Sequence, residues 1–504
     1  MKWLLSVAVV CLTPLAARAE LSSDIDSILH DKLLSRAMES IEVVRLGNSV
    51  GHDTVIYQHD AQTPLIPASN LKVITTSAAL DRLGPDFKFR TQLVYHDGDL
   101  ILVGDGDPTF GDFELLGRMG WDVTTVFNNW AAGLKKLNIT AVRNIVVDDS
   151  IFEQTFIHPH WPADQLDERY MAGVAGMNLN ANCLDIYTRI TGFGDHISYI
   201  LNPPTHYFGV ENNCITGSAN AVWVSRAATQ PGRGPLLVLR GQAKSNSDVP
   251  VSIPVDDPPM FAATVLAECL EAGGVHHSGD VHRDRLVRTQ MATAAAVSES
   301  TIHSPQSRIE NPFRVLAVHE TPLPAVISRA NKDSMNLYAE CVCKRLGAAV
   351  SHESGSWQNG PAAVGGFLLK AGVPSDQFHL DDGCGLSKQN LISASALVSV
   401  LSYDHYAPAG KVFADSLSIA GADGTLKERF RGSDLRGRVQ GKSGYVNGVS
   451  ALSGYLHTKD GATYVFSILM NGVPSGSNSG AKALQEKIVR AVDSEAAAVA
   501  SEAQ

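Results

Sequence analysis

The chain has 504 residues, 44% apolar and 18% charged, with a net charge of -11. That length exceeds one ordinary hydrophobic core, so two or more domains are expected. The acidic balance, with no offsetting basic stripe, argues against nucleic acid as the main partner, and the composition is that of a globular chain.

In chain order, Lys2, the apolar run 3–16 and the small-residue site Ala17-Arg18-Ala19 before Glu20 read as a secretory signal peptide spanning 1–19. The run is too short for a membrane anchor, and no later segment is apolar enough to span a bilayer, so no transmembrane anchor is expected. Cys11 follows Val10 rather than a small residue, which argues against lipidation. The mature protein is expected in the periplasm or otherwise secreted.

Residues 21–38 are predicted as a helix and 41–57 as a strand hairpin turning at Gly51-His52-Asp53. A second helix opens at Pro67-Ala68-Ser69-Asn70 and runs to Leu83-Gly84-Pro85, with Leu71, Ile74, Ala78 and Ala79 at helical spacing. From 87 the texture changes. Strands at 89–95 and 100–103 meet at His96-Asp97-Gly98-Asp99, a hairpin turn. Gly104-Asp105-Gly106-Asp107-Pro108 reads as a loop, because the EF-hand spacing and its bidentate glutamate are absent. Residues 123–137 read as a helix and 144–148 as a buried strand ending at Asp148-Asp149. Between 159 and 258, Pro, Gly, Asn and short alternating runs suggest a small β-rich module. A helix at 261–272 and a strand at 279–287 follow.

Helical texture returns at 324–346, 361–371 and 393–403. Residues 448–456 and 463–470 read as paired strands, and 481–492 as an amphipathic helix that frays after about 496. The two outer portions therefore form an α/β domain of helices on an antiparallel sheet, interrupted by a large nested insert. The expected boundaries are 20–86 and 301–496 for the outer domain, 87–165 and 258–300 for an inserted α/β domain, and 166–257 for a nested β-rich domain.

Of seven cysteines, removal of Cys11 leaves Cys183, Cys214, Cys269, Cys341, Cys343 and Cys384. Cys183 and Cys214 share one loop-rich stretch and are the expected pair if a disulfide forms; Cys341 and Cys343 point apart on one helix. There is no C-x-x-C, and His158, His160, His276, His277 and His282 lack metal-ligand spacing, so no metal or other cofactor is expected. Asp381 and Asp382 read as a turn before Gly383 rather than a catalytic carboxylate pair.

The chemistry-bearing residues lie in the outer domain. Ser69 and Lys72, three apart, share a helix face. Backbone N–H groups at the helix start suit a developing oxyanion, and a lysine kept neutral by burial or by cationic neighbours can take the hydroxyl proton. One S-x-x-K is ordinarily a cap and a solvated lysine; another stands at Ser479-Gly480-Ala481-Lys482. Context reverses that reading. Ser334-Met335-Asn336 lies at a turn entering a helix, and Lys442-Ser443-Gly444 opens a strand. Together these form the signature of the penicillin-recognising serine acyl-transferases. Ser334 can relay a proton to a leaving amine, and Asn336 can hold Lys72 and a substrate amide. Lys442 and Ser443 suit a terminal carboxylate, Gly444 leaves room for a substrate along the strand, and the N–H groups of Ser69 and Tyr445 form an oxyanion hole. The similar triplets Ser218-Ala219-Asn220 and His277-Ser278-Gly279 lack the helix and strand contexts.

With these motifs, the chain resembles the class C low-molecular-mass penicillin-binding proteins, the D-alanyl-D-alanine carboxypeptidase and endopeptidase family. The resemblance extends over nearly the whole mature chain. Asp382-Gly383-Cys384-Gly385-Leu386-Ser387-Lys388-Gln389-Asn390 is similar to the family's D-G-S-G-L-S-R-x-N, Ala420-Gly421-Ala422-Asp423-Gly424-Thr425-Leu426 to its A-G-x-D-G-T-L, and the insert is a family trait. The resemblance implies a DD-transpeptidase/β-lactamase-like domain and a serine DD-peptidase. Such an enzyme cleaves D-Ala-D-Ala ends, and D-Ala cross-bridges, of peptidoglycan stem peptides through an acyl-enzyme on Ser69, and β-lactams acylate the same serine. It also puts Leu386 and Lys388 on the substrate side, and an insert aspartate near the pocket: Asp148 by position, with Asp149 as rival. Cys384, Lys388, Ser443 and Tyr445 depart from the family's serine, arginine, threonine and small hydroxyl residue. Lys388 lacks arginine's bidentate fork, and Tyr445 narrows the carboxylate pocket. A β-lactamase and a non-catalytic wall-binding scaffold are the alternatives. The insert argues against the first and the intact motifs against the second.

Overall fold

A computed structural model describes residues 13–227, 234–301 and 312–502. Lys2, Cys11 and the rest of the expected signal peptide up to residue 12 lie outside the described residues. The chain divides into two compact units: Met1–Phe87 with Leu323–His352 and Trp357–Gln504, and Lys88–Pro322 with Glu353–Ser356. Among the described residues, no helix is long and apolar enough to cross a membrane.

The first unit is built on a six-stranded antiparallel sheet. Its order is Ser418–Ile419, Val439–Val446, Val449–His457, Thr463–Asn471, Met38–Arg45, Thr54–His59. The central strands Val449–His457 and Thr463–Asn471 are buried along nearly their whole length. Continuous burial means that both faces of the sheet are covered. On one face, Leu21 and Ile25 of helix Thr13–Leu29 and Ile488 and Val492 of helix Asn478–Glu502 pack onto Ile41, Leu452 and Ile468. Each such side chain contributes about 1.5–3 kcal/mol by leaving water. On the other face, helix Ala394–Tyr406 packs against the sheet and against helix Leu71–Leu83.

Helix Leu71–Leu83 is the interior helix: every residue from Leu71 to Leu80 is buried. Its polar residues are accounted for. Thr76 Oγ1 donates to the Lys72 carbonyl at 2.7 Å, and Ser77 Oγ to Asp404 Oδ1 at 2.8 Å. Gly84, at φ 84°, ends the helix where a Cβ would be strained.

The first helix ends at Leu29 rather than at 38, because Met38 already pairs with Asn471 in the sheet. The expected helix 324–346 is two helices, Leu323–Lys332 and Asn336–Ser351, with Ser334 between them. The terminal helix continues to Glu502.

The second unit contains a five-stranded mixed sheet, ordered Val281–Arg283, Ile145–Asp148, Asp99–Val103, Lys88–His96, Arg314–Pro322. The expected turn at Asp97-Gly98 joins two of these strands with positive φ at both residues, 48° and 86°. Because Arg314–Pro322 pairs with Lys88–His96, the insert extends to Pro322 rather than ending at 300. The β-rich stretch forms two three-stranded sheets, one around Cys183–Arg189 and one around Leu236–Ala243. Among the described residues, its Leu184 and Leu239 share one apolar cluster with Leu102, Val147 and Phe261. The expected Cys183–Cys214 bridge is absent. The two residues sit on different sheets as buried free thiols.

Candidate active site

Three segments of the first unit converge. The first is the turn entering the interior helix, a 3-10 turn over Ala68–Asn70. Ala68 has φ 47°, a conformation that costs a non-glycine residue energy and that neighbouring structure must enforce. Part of that enforcement is Gly385. A Cβ on it would lie 1.9 Å from the Ala68 carbonyl oxygen, so only glycine lets the two backbones touch. Ser69 emerges half-buried at this turn, with Lys72 fully buried one turn on.

Lys72 Nζ donates to Ser69 Oγ at 3.0 Å, to Asn336 Oδ1 at 2.8 Å and to the Cys384 carbonyl at 2.8 Å. Burial lowers the Lys72 pKa, against the pull of Cys384, Asp382 and Glu340. The ammonium thus has three acceptors, and the neutral amine is brought within reach.

The second segment is the break between the helices Leu323–Lys332 and Asn336–Ser351. Ser334 stands there at φ 59°, another positive φ on a non-glycine residue. The kink separates Ser334 from the helix that carries Asn336, and lets Ser334 meet Lys442 while Asn336 meets Lys72.

The third segment is strand Val439–Val446. Alternation along a strand decides what faces where. Lys442 is buried and points inward, where its Nζ donates to Ser334 Oγ at 2.9 Å and to its neighbour's carbonyl, that of Ser443, at 2.7 Å. Gly444 faces the same way. A Cβ there would meet the Pro67 carbonyl oxygen at 2.7 Å and the Ser69 nitrogen at 3.1 Å, so the strand backbone lies against the Ser69 turn. Ser443 and Tyr445 face the other way, half-buried and 50% exposed. Burial drives the Lys442 pKa well below the usual lysine value, and the charge of Lys72 adds to this. Two lysines share one dry site.

Lys388 is exposed, its Nζ 3.3 Å from the Asn447 carbonyl, and Leu386 is half-buried on the same segment. Asp148 belongs to the second unit and is fully buried. Its Oδ1 accepts the Ser150 N–H at 2.7 Å and its Oδ2 the Arg288 N–H at 2.6 Å. Asp149 is held by Arg285 at 2.6 Å, with Arg283 at 3.7 Å. Of the other triplets, Asn220 Oδ1 accepts the backbone N–H of Lys244 and of Ser245, as a turn residue does.

Sequence reasoning missed Glu340, and it read Asp382 as a turn residue and as the head of a family-like segment without giving it a role. Glu340 is one helical turn after Asn336 and fully buried. That spacing was the available signal. Glu340, Asp382 and Cys384 bring ligand-type atoms within 4.8 Å of one another. Their carboxylate oxygens are, however, occupied by backbone N–H groups, which is the chemistry of a loop anchor and not of a metal cradle.

A serine touching a buried lysine, beside a second lysine–serine pair and a glycine-backed strand, defines a class of serine acyl-transferases that work without histidine. Residues 21–301 and 286–494 match the D-Ala-D-Ala carboxypeptidase 3 (S13) family. The chain belongs to that family, and it is a serine DD-peptidase. It is 30% identical over 480 residues to a D-alanyl-D-alanine carboxypeptidase of Actinomadura sp. (strain R39), covering 91% of this chain and 82% of the relative. It is 24% identical to the D-alanyl-D-alanine carboxypeptidase DacB of Haemophilus influenzae, covering 88% of each. The crystal structure of penicillin binding protein 4 (dacB) from Haemophilus influenzae shares the fold, with a TM-score of 0.70 at 22% identity over 92% of this chain and 97% of that one.

Proposed function

We propose that the chain hydrolyses D-alanyl-D-alanine ends of peptidoglycan stem peptides through an acyl-enzyme on Ser69. The observation that carries this is the surroundings of Lys72 Nζ: Ser69 Oγ at 3.0 Å and two carbonyl acceptors at 2.8 Å. A neutral amine has two N–H bonds and one lone pair. With both N–H bonds given to Asn336 and Cys384, the lone pair faces the Ser69 hydroxyl, as a general base requires.

The substrate lies along strand Val439–Val446. Among the described residues, pairing on the Ser418–Ile419 side ends at Gly441, so residues 442–446 present a strand edge for an extended peptide. Ser69 Oγ attacks the carbonyl carbon of the penultimate D-alanine while Lys72 takes the proton. The oxyanion is received by the backbone N–H groups of Ser69 and Tyr445. Ser334, held by Lys442, passes a proton to the departing amine. Ser443 and the Lys442 charge receive the terminal carboxylate. Water then frees the acyl group and regenerates Ser69. A D-Ala cross-bridge presents the same amide with a larger amine, so endopeptidase action follows from the same chemistry. Lys388 and Leu386 flank the substrate in this reading. Asp148 and Asp149 do not enter it, because both carboxylates are engaged inside the insert.

β-Lactams acylate Ser69 in the same way. The substrate lies outside the cytoplasm, so residues 1–19 act as the export signal and the mature chain begins at Glu20. The test is release of D-alanine from a pentapeptide and cleavage of defined cross-linked muropeptides, read by mass spectrometry. Release without cross-bridge cleavage limits the enzyme to carboxypeptidase action. No release from either substrate overturns the proposal.

A further inference from the structure

The segment Gly383–Gly385 carries the carbonyl that Lys72 depends on, and its backbone groups are tied down one by one. Gly383 N–H donates to both oxygens of Glu340 at 2.9 and 3.0 Å, and Cys384 N–H to Glu340 Oε1 at 2.7 Å. The Gly383 carbonyl accepts Thr75 Oγ1 at 2.7 Å, and Gly385 N–H donates to Asp382 Oδ1 at 2.7 Å. The segment is also wedged sterically. A Cβ on Gly383 would meet Cys343 Cβ at 2.5 Å, and one on Gly385 would meet the Ala68 carbonyl at 1.9 Å. The Cys384 carbonyl, between these anchors, points at Lys72 Nζ, 2.8 Å away.

We infer that Glu340 is a positioning residue for the general base: by gripping two consecutive amides it fixes the Cys384 carbonyl, which in turn fixes the direction of the Lys72 lone pair. This rests on the reading of Ser69 and Lys72 as nucleophile and base, and adds a residue outside the three motifs. Geometry of this kind matters because a misplacement of about 1 Å in a reacting group costs about a hundredfold in rate.

The groups facing Glu340 are Asp382 and Cys384 on the loop, Cys343 on its own helix and Lys72 on the interior helix. Burial, then the Asp382 charge, pushes Glu340 up to about 8, while the Cys384 and Gly383 hydrogen bonds oppose the rise. Glu340 Oε1 accepts both amides, so a proton on Oε2 gives up at most the 3.0 Å second arm of the Gly383 bond and keeps one bond to each amide. Protonated Glu340 keeps the Cys384 carbonyl in place and removes a negative charge that would otherwise favour the Lys72 ammonium. Deprotonation above about pH 8 restores that charge and opposes the base.

The experiment is the second-order rate of acylation by a fluorescent penicillin between pH 5.5 and 9.5, for the full chain and for Glu340→Ala and Glu340→Gln, with Tm measured alongside. Glu340→Ala should lose about tenfold or more at every pH, as other supporting partners of a reactive group do. Glu340→Gln, whose amide oxygen can take both N–H bonds, should restore most of that loss and abolish the inflection near pH 8. A Glu340→Gln profile that superimposes on that of the unmodified chain overturns the inference, as does a folded Glu340→Ala that acylates at the unmodified rate. If Glu340→Ala does not fold, the Glu340→Gln profile decides alone. Failure of the unmodified chain to be acylated would instead sink the proposed function.

Discussion

Lys442 Nζ donates to Ser334 Oγ at 2.9 Å, joining two motifs 108 residues apart in the chain. Because Lys442 is the donor in this contact, the Ser334 hydroxyl proton is free to face a leaving group. Removing the hydroxyl should slow acylation by about a hundredfold or more, the usual range for a positioned proton donor. Ser334→Ala should therefore show a sharply reduced acylation rate at unchanged Tm, measured with a labelled penicillin. Lys442→Ala should lose both this and affinity for carboxylate-bearing substrates, seen as a higher KM for D-alanine release.

As the proposed general base, Lys72 acts in its neutral amine form. Burial lowers its pKa, so the acylation rate should rise with pH through an inflection below the usual lysine value near 10.4. The sign is fixed by the chemistry: more protonation means less base. A pH–rate profile with no rising limb would contradict the role. Lys72→Arg, which cannot deprotonate, should remove at least about a thousandfold of the acylation rate.

Gly444 is required by contact rather than by backbone angle. A methyl group there would reach 2.7 Å from the Pro67 carbonyl and 3.1 Å from the Ser69 nitrogen. Gly444→Ala should push the strand off the Ser69 turn and widen the proposed oxyanion hole. The expected result is a fall in kcat of about a hundredfold with the chain still folded, checked by kinetics and circular dichroism.

Asp404 is buried at the end of helix Ala394–Tyr406 and accepts Ser77 Oγ at 2.8 Å. Burial raises its pKa well above the usual carboxylate range. The unfolded chain therefore releases this proton first as pH rises, and stability falls from about pH 4 upward until the folded group also titrates. Asp404→Asn does not titrate and should lose that dependence. Thermal melts between pH 4 and 8 should show a shallower fall for the variant than for the unmodified chain; parallel curves would refute the assignment.

The site was legible because its residues sit in short local patterns. Ser69 and Lys72 share a helix face, Ser334 and Asn336 straddle one turn, and Lys442 and Gly444 share a strand face. Each triplet carries its own geometry, and the sheet register brings the triplets together. The antiparallel sheet was legible from the alternation in 448–456 and 463–470. The turn at Ser334 was legible as a polar stretch entering a helix, but the positive φ of the serine itself leaves no trace in the letters. The insert's far boundary was missed because nothing was read from the stretch before Pro324; only the pairing of Arg314–Pro322 with Lys88–His96 assigns it to the insert. The Cys183–Cys214 pairing failed because proximity in sequence says nothing about which sheet each strand joins. Glu340 escaped notice because its partners are backbone amides, which no side-chain motif encodes.

The central claim is that the Ser69 oxygen forms the covalent bond. Intact-mass measurement after incubation with penicillin, followed by peptide mapping, tests it directly. One adduct per chain on the peptide containing Ser69, absent from Ser69→Ala, is the expected result. An adduct that persists in Ser69→Ala, or no adduct on the unmodified chain, would contradict it.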